Sequence, residues 1–124
     1  MLKAALTHPS YAHENPHIRE GDNQRLEFLG DAVLGLVIGT LLYRRFQDLY
    51  EGKLSRLKAE LVCEETLAQV AENLQLGRFL LLGRGEQASG GAEKRSILSD
   101  LFEAVLGAIY LDGGYEAATA FVAG

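Results

Sequence analysis

Residues 25–46, RLEFLGDAVLGLVIGTLLYRRF, decide the fold. Leu26, Leu29, Val33, Leu34, Leu36, Val37, Ile38 and Leu41 recur at helical spacing and cover nearly every side of the helix they form. A helix that is apolar all round belongs at the centre of a bundle. Gly30, Gly35 and Gly39 interrupt it, each costing about 1 kcal/mol against Ala. That cost predicts a neighbouring element in close approach. Glu27 and Asp31 break the apolar pattern one turn apart, which puts both carboxylates on one face at about 6 Å.

On the N-terminal side, Lys3–Ala12 reads as a short helical stretch interrupted at Pro9, and Glu14–Asp22 as a polar loop. On the C-terminal side, Gly52 opens a second long helix, Lys53–Asn73, with a stripe of Leu54, Leu57, Leu61, Leu67 and Val70 and a stop at Gly77. Phe79–Leu82 is a short apolar run compatible with strand or helix. Gly83–Arg95 holds four glycines without periodicity and reads as a mobile loop. Ser96 is the expected N-cap of a third apolar helix, Ile97–Asp112, ended by Gly113-Gly114, with a last amphipathic turn or two over Tyr115–Val122. No repeat and no linker divides the chain. The expectation is all-α, a single domain over residues 1–124.

Composition agrees with a folded helical domain. The chain has 124 residues, 48% of them hydrophobic and 23% charged, and chains of this size bury roughly two-thirds of their unfolded surface. Its one cysteine, Cys63, has no internal disulfide partner, which favours a reducing compartment, and it reads as a small buried hydrophobe. The N-terminus lacks a signal-peptide layout, and the apolar run Ala32–Leu42 is shorter than the about 20 residues of a membrane span, so the expected location is cytoplasmic, away from membranes. Net charge is −5, and the excess is uneven. Residues 1–62 hold eight basic and eight acidic groups, residues 63–124 four basic and nine acidic. That balance argues against a general nucleic-acid binder and suits a cation site.

The acids of interest are those set among apolar neighbours. Asp100 and Glu103 sit three residues apart in the third helix, as Glu27 and Asp31 sit four apart in the first. Four carboxylates on two core helices need a counter-charge, because burial and mutual repulsion both oppose ionisation. Arg25 or Lys94 could supply it, but a divalent metal satisfies four acids better. Oxygen ligands without His or Cys suit Mg²⁺ or Mn²⁺ rather than Zn²⁺. The plainer reading is that they are helix N-terminal charges reaching solvent, which has most force for Asp100 and least for Glu103, between Phe102 and Ala104.

Asn23-Gln24-Arg25-Leu26-Glu27-Phe28-Leu29-Gly30-Asp31-Ala32-Val33-Leu34 resembles the signature of the ribonuclease III endonuclease domain. Three further blocks are similar to that family in the same order: Leu6–Tyr11, Gly52–Ala59 and Ser96–Ala104. The resemblance implies Mg²⁺-dependent cleavage of double-stranded RNA, with 5′-phosphate and 3′-hydroxyl ends, and a part in processing ribosomal and messenger RNA. It matches Glu27, Asp31, Asp100 and Glu103 to the catalytic, metal-binding carboxylates. It implies a homodimer in which Phe28 plugs into the partner subunit and Glu51 adds an acid near the cleavage site across the dimer. No organic cofactor is implied. Gln24 departs from the Glu often found in this motif. The family's C-terminal double-stranded-RNA-binding domain has no counterpart before Gly124, nor does the helix usually ahead of Met1–Leu6, so a catalytic domain alone is expected.

Phosphate contacts dominate affinity for duplex RNA, and its A-form shape leaves little sequence to read. Lys94, Arg95 and Arg84, beside the helix that carries Asp100, are the expected contacts. Arg44, Arg45, Lys53, Arg56 and Lys58 are either a second patch or a solvated face. Other motif matches lack support. His13-Glu14-Asn15-Pro16-His17 fits a zinc-protease pattern, but Pro16 prevents the shared helical face that chemistry needs. Gly83-Arg84-Gly85-Glu86-Gln87-Ala88 fits a dinucleotide-loop pattern with no helix expected after it and no βαβ unit around it. Ser10 and Ser99 show no His–acid pair in sequence, and His8 reads as a structural hydrogen-bonding residue. Two alternatives to the nuclease are a non-catalytic dimerisation or RNA-scaffold module with the same fold and a metal-dependent nucleotide hydrolase.

Overall fold

The computed structural model describes residues 1–17 and 21–123. Among them are seven helices: α1 (Leu2–Ala5), α2 (Pro9–Glu14), α3 (Gln24–Arg45), α4 (Glu51–Val62), α5 (Glu64–Asn73), α6 (Arg84–Ala88) and α7 (Arg95–Ala123). Two 3₁₀ turns, Leu76–Phe79 and Gly91–Glu93, complete the order. The one extended pairing among these residues is a bridge between Thr7 and Leu81. The all-α expectation holds.

The centre is the pair α3 and α7, with α5 packed on the same core. Val33, Leu34, Val37, Leu98, Phe102 and Leu106 meet there. Side chains as fully buried as Leu34, Leu101 and Leu106 contribute about 1.5–3 kcal/mol each. Length and apolar composition would let α3 cross a membrane. Only 28% of that apolar stretch is buried, on the face of Gly30, Val33, Leu34 and Val37, so the helix is not enclosed on all sides as its composition predicts, and Phe28, Leu36 and Tyr43 are exposed. Ala32–Leu42 is therefore part of a longer apolar helix than the run alone suggests.

Two glycines set how closely the central helices cross. A Cβ on Gly30 would fall 2.5 Å from the carbonyl carbon of Glu103, and one on Gly107 would fall 3.2 Å from the Gly30 nitrogen. The close approach expected of Gly30 is present. Gly35 is met only by the Lys58 side chain, and Gly39 faces open space.

Several boundaries differ from the sequence reading. The expected helix Lys53–Asn73 is two helices, broken where Cys63 adopts an extended conformation (φ −69°, ψ 157°). Thr66 helps hold the break, its hydroxyl donating to the Glu60 carbonyl at 2.8 Å. Cys63 is exposed, not a core residue. The stop after α5 is Gln75, in the left-handed region (φ 57°), two residues before Gly77. Gly83–Arg95 is not an irregular loop, because it contains α6 and a 3₁₀ turn. Lys94, not Ser96, takes the N-cap position of α7: it is extended, and its carbonyl accepts from Leu98 N at 3.0 Å. Helical structure resumes after Gly114 (φ 78°) and runs to Ala123. That bend stacks Phe121 on Phe102, centroids 5.5 Å apart, and buries Ala118. The helical stretch is interrupted at Pro9 as expected, α1 ending at Ala5 and Pro9 starting α2, and part of the expected loop Glu14–Asp22 lies outside the described residues.

Candidate metal centre

The N-terminal end of α3 is fixed by buried polar groups. Asn23, 3% exposed, donates its backbone N–H to the Thr7 carbonyl at 2.9 Å and its side-chain amide to the Ala5 carbonyl at 3.3 Å. Asp22 Oδ1 accepts from Gln24 N at 2.9 Å. Glu27 follows in the first turn of α3. Asp100 and Glu103 come from the second and third turns of α7, so the plainer reading of Asp100 as a first-turn helix charge does not apply.

The close crossing at Gly30 brings Glu27, Asp100 and Glu103 together. Carboxylate oxygens of all three lie within 4.8 Å of one another. Asp31 falls outside that trio and is exposed, but its carboxyl lies beside Glu103. The acids thus pair across the helices, Glu27 with Asp100 and Asp31 with Glu103.

Their electrostatics follow from burial and mutual repulsion. Glu103 is 8% exposed, and its pKa is pushed to about 8, chiefly by lost hydration and then by Asp31. Glu27 is raised to about 7 by lost hydration, Asp100, Asp31 and Asp22. Asp100 is raised by lost hydration and by Glu64, while Glu27 and His8 oppose the shift. No ion pair reaches these acids from the described residues. Lys94, one expected counter-charge, is bound by Glu86 at 2.6 Å instead, and Arg25 is exposed. Three neighbouring oxygen donors that repel each other suit a hard divalent cation.

Other site residues are placed less compactly. Lys94, Arg95 and Arg84 are exposed around α6 and the start of α7. Glu51 starts α4 in an exposed position outside the acidic trio. Phe28 is 80% exposed and borders a groove of ≈ 1010 Å³ lined in part by Met1, Ala4, Leu26, Leu29 and Leu111. Arg44, Arg45, Lys53, Arg56 and Lys58 are all exposed.

Glu64, which raises Asp100, was hidden by reading α4 and α5 as one helix; Cys63 followed by two acids and Thr66 was the available signal. His8 caps α2, its Nδ1 accepting from Ser10 N at 3.0 Å. Ser10 does have a histidine neighbour, since its Oγ lies 2.7 Å from His8 Nδ1, but that oxygen also accepts from Gly83 N at 2.8 Å and serves to join α2 to α6. In Gly83–Ala88, residues from Arg84 onward form α6 themselves, a helix the sequence reading did not expect. His13 lies in α2 while His17 lies beyond its end, so the two share no helical face.

The whole chain, residues 1–124, matches the family described as Ribonuclease-III-like. Ribonuclease 3 of Heliobacterium modesticaldum is 61% identical over 98% of this chain and 52% of its own length, and that of Moorella thermoacetica is 57% identical over 98% and 51%. This chain therefore spans about half the length of these curated relatives. The crystal structure of the nuclease domain of ribonuclease III from Campylobacter jejuni superposes with a TM-score of 0.87 at 48% identity, covering 98% of this chain and 78% of that one. A second structure of that domain, concerned with flexibility in a region involved in dimer formation, gives a TM-score of 0.88 at the same identity. The acid-bearing crossing of α3 and α7 thus sits in a chain that belongs to the ribonuclease-III-like family.

Proposed function

We propose that residues 1–124 are the catalytic domain of a Mg²⁺-dependent endoribonuclease that cuts double-stranded RNA as a homodimer. The observation that carries this reading is the meeting of Glu27, Asp100 and Glu103 within 4.8 Å, with no ion pair to any of them among the described residues. Family membership and relatives named Ribonuclease 3 support the same activity.

Glu27, Asp100 and Glu103 would hold the ion, with Asp31 completing the acidic set from its exposed side; the all-oxygen donor set fits Mg²⁺ and would also accept Mn²⁺. Bound Mg²⁺ supplies charge neutralisation at the scissile phosphate and an activated water for in-line attack. The chain's own work is to keep these acids apart from cations of its own and to present them on two rigid helices. Because burial and neighbouring acids raise Glu27 to about 7 and Glu103 to about 8, ion binding near neutral pH displaces protons and strengthens as pH rises. Lys94, Arg95 and Arg84 bind duplex phosphates. Phe28 enters the groove beside its counterpart in the partner subunit, and Glu51 approaches the cleavage site across that dimer. Products carry 5′-phosphate and 3′-hydroxyl ends, and sequence preference is weak. The setting is cytoplasmic processing of ribosomal and messenger RNA, without a membrane or an organic cofactor.

The test is a gel assay of the purified chain on long duplex RNA at low salt, with Mg²⁺, EDTA and single-stranded RNA as arms. Short duplex products only with Mg²⁺ are expected, and Glu103→Gln abolishes them while the fold persists. Cleavage that survives in EDTA or in Glu103→Gln would overturn the assignment. A parent chain that binds duplex and Mg²⁺ but never cuts would point to the scaffold module.

A further inference from the structure

Lys94 Nζ donates to Glu86 Oε2 at 2.6 Å and lies 3.5 Å from Ser89 Oγ. The Ser89 hydroxyl is 3.1 Å from both Glu86 Oε2 and the Glu86 main-chain oxygen, so the acid is held from a second side. Gly91 makes the room: a Cβ there would fall 2.7 Å from Glu86 Cγ and 2.7 Å from the Glu86 carbonyl oxygen. Gly90, with φ 78°, turns the chain back so that Lys94 faces α6. Lys94 and Ser89 hold the Glu86 carboxyl below its usual range. This is a built pair, yet it stands at the surface, where the lysine side chain is 45% exposed.

A carboxylate bound by an ammonium and a hydroxyl presents the same charge and acceptor oxygens as one phosphodiester. We infer that Glu86 is an intramolecular competitor for duplex phosphate. In the free chain it neutralises Lys94; on binding, an RNA phosphate takes Lys94 Nζ and Ser89 Oγ, and the carboxylate is displaced. This rests on the reading of Lys94 as a phosphate contact. Exposed ion pairs are weak enough to exchange. In a chain of net charge −5, one masked lysine restrains binding.

The experiment measures duplex RNA affinity in EDTA, which prevents cutting, across a salt series. Glu86→Gln should tighten binding about two- to fivefold at low salt, the range expected for release of an exposed pair. The salt dependence should steepen by about one counterion. Glu93→Gln makes the same charge change in the same segment without touching Lys94 and sets the baseline. In a Lys94→Ala background, Glu86→Gln should add nothing beyond that baseline. Affinity and salt slope equal to the Glu93→Gln baseline overturn the inference. A measurement free of variants is ¹³C NMR of the Glu86 carboxyl in the unaltered chain: its pKa should return to the ordinary carboxylate range when duplex is bound, and a value that stays low overturns the inference. A parent chain that cuts duplex without these responses removes the competitor and leaves the nuclease standing; one that neither binds nor cuts removes both.

Discussion

The main chain of Glu103 runs so close to Gly30 that a Cβ on the glycine would lie 2.5 Å from the Glu103 carbonyl carbon. The same residue that supplies the most buried acid of the cluster therefore touches the central helix through its backbone. On an isolated helix, Gly→Ala gains about 1 kcal/mol. At residue 30 the obstacle is backbone of a packed helix, which does not rotate aside, and overpacking costs about 1–3 kcal/mol or more. Gly30→Ala should destabilise the chain in urea and weaken Mg²⁺ binding, because α7 must shift. Gly39→Ala faces open space and should instead stabilise by up to about 1 kcal/mol. Equal midpoints for the two variants would remove the crossing as the determinant.

The pKa values of Glu27 and Glu103 lie near 7 and 8, above the ordinary 4.5. A carboxyl raised on folding leaves the native state with more bound protons than the unfolded chain. Its contribution is present in full below pH about 4.5 and is lost as pH rises through about 7 and then about 8. The metal-free chain should therefore melt at lower temperature at pH 9 than at pH 6, and Mg²⁺ should restore most of the difference. Melting curves across that range, with and without Mg²⁺, check this. A metal-free melting temperature that rises from pH 6 to pH 9 would contradict the uncompensated cluster.

Glu103→Gln follows from the same repulsion. The amide keeps the shape of the side chain and removes the charge that burial and Asp31 oppose. Losing a buried, unpaired charge stabilises the fold. The variant should melt above the parent at pH 9 without metal, respond less to Mg²⁺ and fail to cut RNA. A variant less stable than the parent at that pH would mean Glu103 has a compensating partner.

The central helix was legible because apolar residues from Leu26 to Leu41 keep helical spacing, and α3 runs Gln24–Arg45, within a residue of the reading. The pairing of α3 with α7 was legible in the two acid pairs that a shared cation would bring together, whereas Gly30 called only for a close neighbour without naming it. The break at Cys63 was not, because the stripe from Leu54 to Val70 keeps helical spacing across it; the signal was local capping by Thr66. The order within Gly83–Arg95 was missed because it comes from Glu86 reaching across Gly91, a tertiary contact with no periodicity. Of the four acids, sequence placed two on each helix. It could not show that Asp31 stands aside while Glu64 approaches Asp100.

Cys63 supplies a further check on that break. Its thiol is exposed, lies 3.1 Å from Thr66 Oγ1, and has a pKa lowered first by that hydroxyl. Accessibility and thiolate character together govern thiol reactivity. The native chain should react with one equivalent of a disulfide reagent without denaturant, and Thr66→Val should slow the reaction. Reaction only after unfolding would restore the buried reading and join α4 to α5.

In the proposed dimer, Phe28 is the side chain that a partner subunit would receive. It is 80% exposed, and Leu36 and Tyr43, 58% and 73% exposed, follow it along α3. Large apolar side chains gathered on one side of a central helix mark an association surface. Phe28→Ala removes almost nothing from the isolated chain, so its melting temperature at low protein concentration should stay near the parent value. An aromatic anchor seated in a pocket typically costs at least about 2 kcal/mol when truncated, about thirtyfold in Kd. The groove lined by Met1, Ala4, Leu26, Leu29 and Leu111 is the proposed receptor for the partner's side chain. Sedimentation equilibrium should show a dimer for the parent and a shift of thirtyfold or more toward monomer for the variant, with duplex cleavage falling in step. Leu111→Glu, which places a charge in the groove and leaves Phe28 intact, should produce the same shift. Dimers unchanged in both variants would place the association surface elsewhere on the chain.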